Sequence, residues 1–317
     1  MIVPIKIGVA GAGVFGGFHA SKIASHLGAS LAAVYDIDLA RADALASQFG
    51  ASASDNYAAF LDGLDAVVIA CPASAHFSLA EQALKSGLHV FVEKPIALNV
   101  DEADALIALA DARALVLQVG HQERYVADAA GLLDRNKSPL KIDCVRGTKA
   151  SGRCEDVSVI LDLMVHDIDL IRQLTKSEIE SVSAQGDAHE ASADILLTNG
   201  TIVSLKASRR AAAVDRRMVL VYDDGVIEFD FINREINNTT AHDLGHALNS
   251  ADAPLAIRDP LAFGADQFIT SVTEKRTPQV TGRDGRGALA WARAIEAAAG
   301  IAQIEYEAET SIERMRA

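Results

Sequence analysis

The sequence is poor in cysteine and in positive charge. Its 317 residues include three cysteines, an odd number with no metal-type spacing. A disulfide-stapled secreted domain is therefore excluded, and we expect Cys71, Cys144 and Cys154 to be buried or partly buried thiols in a reducing compartment. Basic residues number 29 against 43 acidic ones, and the resulting formal charge of −14 argues against a nucleic-acid partner.

Long hydrophobic runs are also missing. No uninterrupted apolar stretch approaches the roughly 20 residues that cross a bilayer, so we predict no membrane partner. The apolar stretch from Ile7 to Phe18 follows a lysine, as in a signal peptide, but its residues are used by a strand and a glycine turn. We therefore expect a cytoplasmic location. Hydrophobic residues make up 50% of the chain, which suits a globular protein of two domains.

The stretch from Ile5 to Asp36 has the pattern of a complete nucleotide-binding unit. An apolar strand, Ile5–Ala10, enters Gly11-Ala12-Gly13-Val14-Phe15-Gly16, which is a full G-x-G-x-x-G. A helix follows, with Phe15, Ile23 and Leu27 among its apolar positions, and a second strand, Ser30–Tyr35, leads into Asp36. A glycine-rich surface loop is the alternative, and the flanking strand, helix and acid make it improbable.

Each part of this unit has a physical task. Gly11 allows the tight turn, Gly13 lets the backbone approach a pyrophosphate, and Gly16 lets the helix pack closely on the strand. The helix N-terminus supplies free N–H groups for the phosphates. Asp36, 20 residues beyond Gly16, is placed to accept hydrogen bonds from both ribose hydroxyls of an adenosine. Because Asp36 would repel a 2′-phosphate and only Arg41 is a nearby cation, we predict NAD rather than NADP.

Strands and helices continue to alternate after Asp36, which predicts a parallel sheet with helices on both faces. We expect an α/β protein with an N-terminal Rossmann domain, residues 1–121, and a substrate-binding and oligomerisation domain, residues 122–317. The second is predicted to be α+β, with a large open, mostly antiparallel sheet, because helical periodicity vanishes between Ile179 and Asn238. The predicted helices are Leu39–Phe49, Asn56–Leu61, Ser74–Lys85, Asn99–Ala112, Val126–Leu133, Val159–Leu174, Asp259–Thr273 and Gly285–Ile304. The further strands are Ala66–Ala70, Leu88–Val92, Leu115–Val119 and Lys141–Thr148.

Glu93-Lys94-Pro95 lies at the carboxyl end of a predicted strand, the edge at which open parallel sheets bind ligands. Lys94 would then point toward the nicotinamide half of a dinucleotide. The alternative is a surface lysine before a helix. Pro95 fixes the backbone here, and its peptide bond could be cis or trans. A second polar group, Gly120 to Tyr125, directly follows the next strand end and also fits an interdomain linker.

Asp162 and His166 are four residues apart on a strongly periodic helix, so both side chains leave the same face. Apolar residues cover the rest of the circumference, which predicts a largely buried helix. A buried histidine beside a carboxylate suits proton transfer, because imidazole titrates nearest physiological pH. A helix-surface ion pair is the alternative, and the apolar surroundings weaken it.

These motifs together carry a resemblance. The chain resembles the glucose–fructose oxidoreductase / inositol dehydrogenase / rhizopine catabolism (Gfo/Idh/MocA) family over nearly its whole length. The resemblance is carried by Glu93-Lys94-Pro95 and Asp162-x-x-x-His166, downstream of the G-x-G-x-x-G. The resemblance implies oxidation of a sugar or cyclitol hydroxyl. It implies His166 as general base, Lys94 as hydrogen-bond partner of the reacting oxygen, and Asp162 as substrate ligand or orienting acid.

Within the family, the His121–Tyr125 and Leu161–Asp169 stretches are similar to nucleotide-sugar members, in particular UDP-N-acetylglucosamine 3-dehydrogenases. These members usually continue with Asn-Pro, where this chain has Val126-Ala127. The resemblance implies oxidation at C3 of a UDP-N-acetylhexosamine by hydride transfer to nicotinamide. The alternatives are an inositol or free-sugar dehydrogenase, a non-catalytic dinucleotide-binding regulator and a flavin enzyme. A homodimer or homotetramer through the C-terminal sheet is expected.

The predicted site residues form two sets. The predicted cofactor contacts are Gly11, Gly13, Val14, Phe15, Gly16, Asp36, Cys71, Pro72, His76, Glu93 and Lys94. The predicted substrate contacts are Lys94, His121, Arg124, Tyr125, Asp162 and His166, and the predicted catalytic residues among them are Lys94, His166 and Asp162.

Two further features have open or negative interpretations. One basic cluster could receive a substrate diphosphate or could be two solvated strand ends: Lys206, Arg209, Arg210, Arg216 and Arg217. His242 and His246 have the spacing of a zinc helix but lack the glutamate that follows the first histidine, so we predict no metal.

Overall fold

The computed structural model describes residues 4–150, 156–244 and 248–301. Among these residues the chain forms two compact units. The first contains residues 4–120 together with 261–286, and the second contains residues 121–260 together with 287–301. The predicted division after residue 121 therefore does not account for residues 261–286, which lie late in the chain and cluster with the first unit. Cys154, His246 and the end of the predicted last helix lie outside the described residues.

The first unit is built on a six-stranded parallel sheet. Its strands lie in the order β3-β2-β1-β4-β5-β6, which is the order of dinucleotide-binding Rossmann sheets. The Rossmann prediction is confirmed. The strands are β1 Ile5–Ala10, β2 Ala29–Tyr35, β3 Ser52–Ser54, β4 Ala66–Ile69, β5 His89–Val92 and β6 Leu117–Val119. The helices are α1 Val14–Ala24, α2 Leu39–Ala46, α3 Tyr57–Leu61, α4 His76–Lys85 and α5 Val100–Ala112.

The central strands of this sheet are apolar because both of their faces are covered. Every residue of β4 is buried, as are Ile7 and Val9 on β1. A parallel sheet covered on both faces requires such continuous apolar strands. On β5, Phe91 contacts Phe268 edge to face, with ring centroids 5.8 Å apart. Phe268 belongs to α9, Pro260–Glu274, which explains why a late helix clusters with the first unit.

Local capping sets several helix starts. The Asn99 side chain accepts the N–H of Glu102 at 2.8 Å, so the predicted asparagine cap of α5 is confirmed. The Ser74 cap is wrong, because a short 3₁₀ turn, Ala73–Ala75, precedes α4 and no side-chain cap bond is present at its start.

The lengths of two helices were overestimated. α1 ends at Ala24, and Leu27 is 98% exposed rather than an apolar helix position. α2 ends at Ala46, three residues short of Phe49. The three-residue strand β3 was missed, since a Ser-Ala-Ser sequence is too short and too polar to show a strand pattern.

The second unit contains a seven-stranded sheet in the order β13-β12-β11-β7-β10-β9-β8. Only β7 and β10 pair in parallel among these strands, so the prediction of a mostly antiparallel sheet is confirmed. The strands are β7 Lys141–Gly147, β8 Ile179–Gly186, β9 Glu190–Leu197, β10 Ile202–Ser208, β11 Asp215–Tyr222, β12 Gly225–Asp230 and β13 Glu235–Asn238. One face buries Ile142, Leu205 and Leu220, in the alternation typical of a sheet with one covered face.

The helices of this unit depart from expectation at one important place. The predicted helix Val159–Leu174 is a π-helical turn, Ile160–Met164, followed by α7, Val165–Thr175. Such turns are rare and occur frequently at functional sites. The remaining helices are α6 Gln122–Ala129, α8 Leu255–Arg258 and α10 Gly282–Ala299, of which α10 begins in the first unit.

No helix in the described part of the chain is long and apolar enough to cross a membrane. The opposite face of the large sheet carries both charged and apolar side chains, such as Lys206 and Ile202. The predicted oligomer through this sheet and the cytoplasmic location stay predictions.

A buried ionic cluster joins three elements of the second unit. The Arg146 side chain on β7 is 2% exposed and donates to Glu123 on α6 at 2.7 Å and to Asp167 on α7 at 3.0 Å. A second buried pair joins the same helices, in which Arg124 Nε donates to Asp169 at 2.9 Å. Because buried charges require partners, these pairs fix α6 relative to α7.

We expect the substitution Arg146→Met to destabilise the second unit by about 3–5 kcal/mol, because it leaves buried carboxylates without their cation. The matched control is Arg217→Met on β11, whose guanidinium pairs with Asp215 but is 60% exposed, and which should change stability by about 0.5 kcal/mol or less. The measurement is the midpoint of unfolding in urea, monitored by tryptophan fluorescence. Trp291 is the single tryptophan and lies in the second unit, so its signal reports that unit. Equal midpoints for the two variants would contradict a structural role for the cluster.

Candidate functional site

The glycine loop has the close approaches that its sequence predicts. Gly11 has a φ of +105°, in the left-handed region that favours glycine. A Cβ atom at Gly16 would lie 1.7 Å from the carbonyl oxygen of Gly11, so only glycine fits there. Gly13 is open, since the nearest atom to a Cβ there would be Nη2 of Arg41 at 3.9 Å. Val14 and Phe15 open α1 with exposed side chains.

Asp36 is tied to this loop from the neighbouring strand. Its carboxylate accepts the N–H of Ala12 at 2.8 Å and that of Asp38 at 3.0 Å, and the residue is 8% exposed. Each carboxylate oxygen keeps lone pairs beyond these bonds. The arrangement therefore orients a negative charge beside the loop, as ribose binding requires.

The carboxyl end of β4 is organised by His76. Its Nδ1 lies 2.7 Å from the carbonyl oxygen of Pro95, and its Nε2 lies 3.0 Å from that of Cys71. The imidazole thus connects the Cys71-Pro72 turn to the Lys94-Pro95 turn at the end of β5. Cys71 is partly exposed. In the second unit, burial raises the pKa of the Cys144 thiol well above its usual range, so that thiol is inert.

Glu93 is a buried carboxylate at the end of β5. Its Oε1 lies 2.7 Å from Nε2 of His19 on α1. Burial alone would raise the pKa of Glu93, but the hydrogen bond and charge of His19, with Lys94 and His76, bring the pKa below its usual value. Lys94 is partly exposed, and the Lys94-Pro95 peptide bond is cis.

In the second unit, two predicted substrate residues come together. The imidazole rings of His121 and His166 have centroids 6.3 Å apart and meet edge to face. His121 is buried, and His166 is partly exposed. Between positions 161 and 170 only Asp162 and His166 are partly exposed, while every other residue is buried. His166 was expected to be buried and is instead partly exposed. This partial exposure suits access by a substrate.

Asp162 has a partner that the sequence did not reveal. Nε and Nη2 of Arg209, just after β10, lie 3.2 and 3.1 Å from Oδ2 of Asp162. Arg209 also donates to the carbonyl oxygens of Val157 and Ser158, the residues before the π-helical turn. This buried arginine thus holds the turn and its acid together. It is not a free diphosphate ligand.

The other arginines of the predicted basic cluster also have carboxylates nearby. Arg210 lies 3.0 Å from Asp187, and Arg217 lies 2.6 Å from Asp215. Arg216 lies 3.6 Å from Glu123. These pairings reduce the positive charge that the cluster presents to a phosphate.

Arg124 and Tyr125, predicted to touch substrate, are both buried. The Arg124 guanidinium engages Asp169 on α7 through two nitrogen atoms. Its place is therefore in the packing that supports His121 and His166, and a direct substrate contact stays a prediction.

Comparisons with known proteins agree on one family. A family model described as "oxidoreductase family, NAD-binding Rossmann fold" matches residues 5–121, and the GFO/IDH/MocA C-terminal domain model matches residues 146–228. Over 310 residues the chain is 35% identical to UDP-N-acetylglucosamine 3-dehydrogenase of Acidithiobacillus ferrooxidans, covering 94% of this chain and 98% of that protein. The chain belongs to the GFO/IDH/MocA oxidoreductase family.

Structures and further relatives fit this membership. A crystal form of the same Acidithiobacillus ferrooxidans enzyme superposes with a TM-score of 0.83 at 35% identity, covering 93% of this chain and 98% of that one. The scyllo-inositol 2-dehydrogenase (NAD(+)) of Bacillus subtilis is 31% identical over 195 residues, which is 57% of each chain.

The GFO/IDH/MocA membership confirms the predicted resemblance and the prediction of an oxidoreductase. It also confirms the NAD cofactor at family level, since the first unit matches the family's NAD-binding domain. The glycine loop and Asp36 fit that cofactor. The roles of the individual site residues, including Lys94, Asp162 and His166, stay predictions.

Sequence reasoning did not single out His19, and it named Arg209 and Arg41 without finding their structural roles. His19 and Arg209 bind predicted site carboxylates, and Arg41 reaches over Gly13. His19 left a signal, since it is a polar residue one turn after Gly16 on a helix face that packs on the sheet. Arg209 left none, because its partner is 47 residues away in sequence.

The described residues contain no group of three or more histidine, cysteine or acidic side chains that could hold a metal ion. His242 Nε2 lies 3.0 Å from the carbonyl oxygen of Gly131.

We expect Gly16→Ala to weaken NADH binding by about tenfold or more, an effect of roughly 1.4 kcal/mol, because the new methyl group collides with the Gly11 carbonyl. The neighbouring substitution Gly17→Ala is a matched control, since its Cβ would meet only Leu45 Cδ1 at 3.9 Å. Titration of NADH fluorescence measures both variants. Unchanged affinity in Gly16→Ala would contradict the assignment of this loop to the pyrophosphate.

Proposed function

We propose that this chain oxidises the C3 hydroxyl of a UDP-N-acetylhexosamine and transfers the hydride to the nicotinamide of NAD. The geometric observation that carries a dehydrogenase reaction is the pair of partly exposed side chains, Asp162 and His166, on a segment that is otherwise buried. The likeness to UDP-N-acetylglucosamine 3-dehydrogenase over nearly the whole chain supports the substrate.

In this proposal, the glycine loop and Asp36 would hold NAD, which would supply the acceptor for the C3 hydride at its nicotinamide C4. His166 takes the proton of the hydroxyl, because a near-neutral imidazole suits general-base work. Lys94 donates a hydrogen bond to the reacting oxygen, whose negative charge develops as the proton leaves. The products are a 3-keto sugar, NADH and a proton on His166.

Asp162 acts as the orienting acid of this group. Arg209 fixes one of its carboxylate oxygens, Oδ2, and Asp162 as a whole stays partly exposed. A fixed carboxylate can hold a substrate hydroxyl or the imidazole in one orientation. This lowers the entropic cost of reaching the reactive geometry.

NAD is proposed over NADP because Asp36 holds a negative charge beside the ribose position. Arg41 supplies a guanidinium near the same loop, closer than the sequence spacing indicated. Repulsion by the buried carboxylate is the stronger effect, since Asp36 is fixed by two backbone N–H groups whereas Arg41 is exposed.

NADH formation against a panel of UDP-sugars, free sugars and inositols tests the proposed function. 2-Oxoglutarate is present in a parallel series to recycle any retained NADH, and each series is repeated with NADP. We expect turnover with UDP-N-acetylglucosamine and NAD. Turnover of inositol or free glucose, with none of the UDP-sugars, would replace the substrate assignment by a polyol or free-sugar dehydrogenase. A clear preference for NADP would overturn the cofactor assignment.

We expect His166→Ala to reduce kcat by about 100-fold or more, in the range of a lost general base. NADH binding should be nearly unchanged, because the glycine loop lies in the other unit. His242→Ala is a control histidine of the same unit, placed beyond β13 and bonded to the Gly131 carbonyl. If His166→Ala kept wild-type turnover, the histidine would have a structural role and the proton-transfer assignment would fail.

A further inference from the structure

Two elements of the first unit converge on the Glu93 carboxylate. His19 reaches it from α1, with Nε2 2.7 Å from Oε1. Gly120, directly after β6, lies against the other side, since a Cβ there would be 2.5 Å from Oε2. The carboxylate is thus confined by a hydrogen bond on one oxygen and by backbone on the other. No larger residue fits at position 120 unless Glu93 moves.

His19 is itself fixed. It is 0% exposed, and its ring meets Phe91 edge to face with centroids 5.1 Å apart. Because a carboxylate only accepts hydrogen bonds, Nε2 carries the hydrogen in the bond to Glu93. Nδ1 has no hydrogen-bond partner among the described residues. The hydrogen bond to Glu93 and the packing therefore hold the His19 ring in one orientation.

We propose that His19 is a positioning residue for the oxidation: through Glu93 it fixes the turn that carries Lys94. This inference rests on the proposed function, in which Lys94 donates to the reacting oxygen. Lys94 is the next residue after Glu93, so a shift of the carboxylate moves the backbone from which the lysine side chain extends. A displacement of 1 Å at a reacting group costs about 100-fold in rate, so a small shift has a large effect.

Because of the charges around Glu93, the pH titration of its carboxylate is a second property that depends on the His19–Glu93 pair. The groups that face the carboxylate are His19 from α1, Lys94 from its own turn and His76 from α4. Burial raises the pKa of Glu93, and these groups outweigh it, so the pKa lies below its usual value. Removing the His19 hydrogen bond leaves the burial in place. The pKa of Glu93 must then rise, and protonation occurs at a higher pH as the solution is acidified.

The experiment compares His19→Leu with His19→Gln. Leucine has similar bulk and no donor, whereas the glutamine Nε2 can donate from nearly the position of the histidine Nε2. His26→Leu is the matched control, because His26 also pairs with a carboxylate, Asp266 at 3.1 Å, in the same unit but away from Glu93. Gly120→Ala displaces the Glu93 carboxylate and leaves His19 unchanged.

Three quantities are measured for each variant: kcat on the substrate that the wild type accepts, NADH affinity, and the pH titration of the Glu93 carboxyl carbon. The last uses ¹³C NMR, with the resonance assigned by its absence in Glu93→Gln. We expect His19→Leu and Gly120→Ala to lose about 10–100-fold in kcat with NADH affinity within about threefold of wild type. His19→Gln should keep kcat within about threefold, and His26→Leu should match the wild type. The Glu93 carboxyl should titrate at a higher pH in His19→Leu.

Wild-type kcat in His19→Leu or in Gly120→Ala would overturn the inference, as would an unchanged Glu93 titration in His19→Leu. Equal losses in His19→Leu and His26→Leu would show a general effect on folding and would also overturn it. A loss of NADH affinity as large as the loss in kcat would assign His19 to cofactor binding instead. If the wild type binds NADH and oxidises no member of the panel, the proposed function fails and the inference fails with it. Turnover by the wild type separates that case from the others.

Discussion

A carboxylate removed from water must be given a partner, and this constraint shapes both units of the protein. In the first unit, Glu93 is paired with His19, and Asp36 accepts two backbone N–H groups. In the second unit, Asp162 is paired with Arg209, Asp167 with Arg146, and Asp169 with Arg124. Apart from the N–H of Asp38, which lies in the same loop as Asp36, each partner comes from a different element than its acid. The pairs therefore fix helices and strand ends relative to one another within each unit.

The consequence is that the candidate reactive groups are held by charges that do not themselves react. Around His166, the adjacent Asp167 and the nearby Asp169 are both buried in ion pairs, while His166 keeps an exposed edge. The flanking acids supply the rigidity, while His166 stays partly exposed. The same division holds in the first unit, where Glu93 is buried and the next residue, Lys94, is partly exposed. A preorganised site of this kind lowers the cost of orienting the reacting groups.

The sequence predicted the fold well where local chemistry decides it. The parallel sheet followed from apolar runs alternating with helices, and the glycine loop followed from a spacing that backbone geometry demands. Prediction from the sequence failed where contacts between residues far apart in the chain determine the structure. The π-helical turn at Ile160–Met164 keeps ordinary helical periodicity in its apolar residues, and its support by Arg209 is a long-range contact. Leu27 was misplaced because an apolar residue beyond a helix end looks the same in sequence as one within it.

In the proposed reaction, the hydride leaves C3 of a UDP-N-acetylhexosamine for the nicotinamide. The most direct test uses UDP-N-acetylglucosamine carrying deuterium at C3, incubated with the protein and NAD, followed by mass spectrometry of all NADH after denaturation. If the hydride leaves C3 for the nicotinamide, one deuterium appears in the NADH and is lost from the sugar. Reduced cofactor without deuterium, beside a sugar that retains its label at C3, would contradict it.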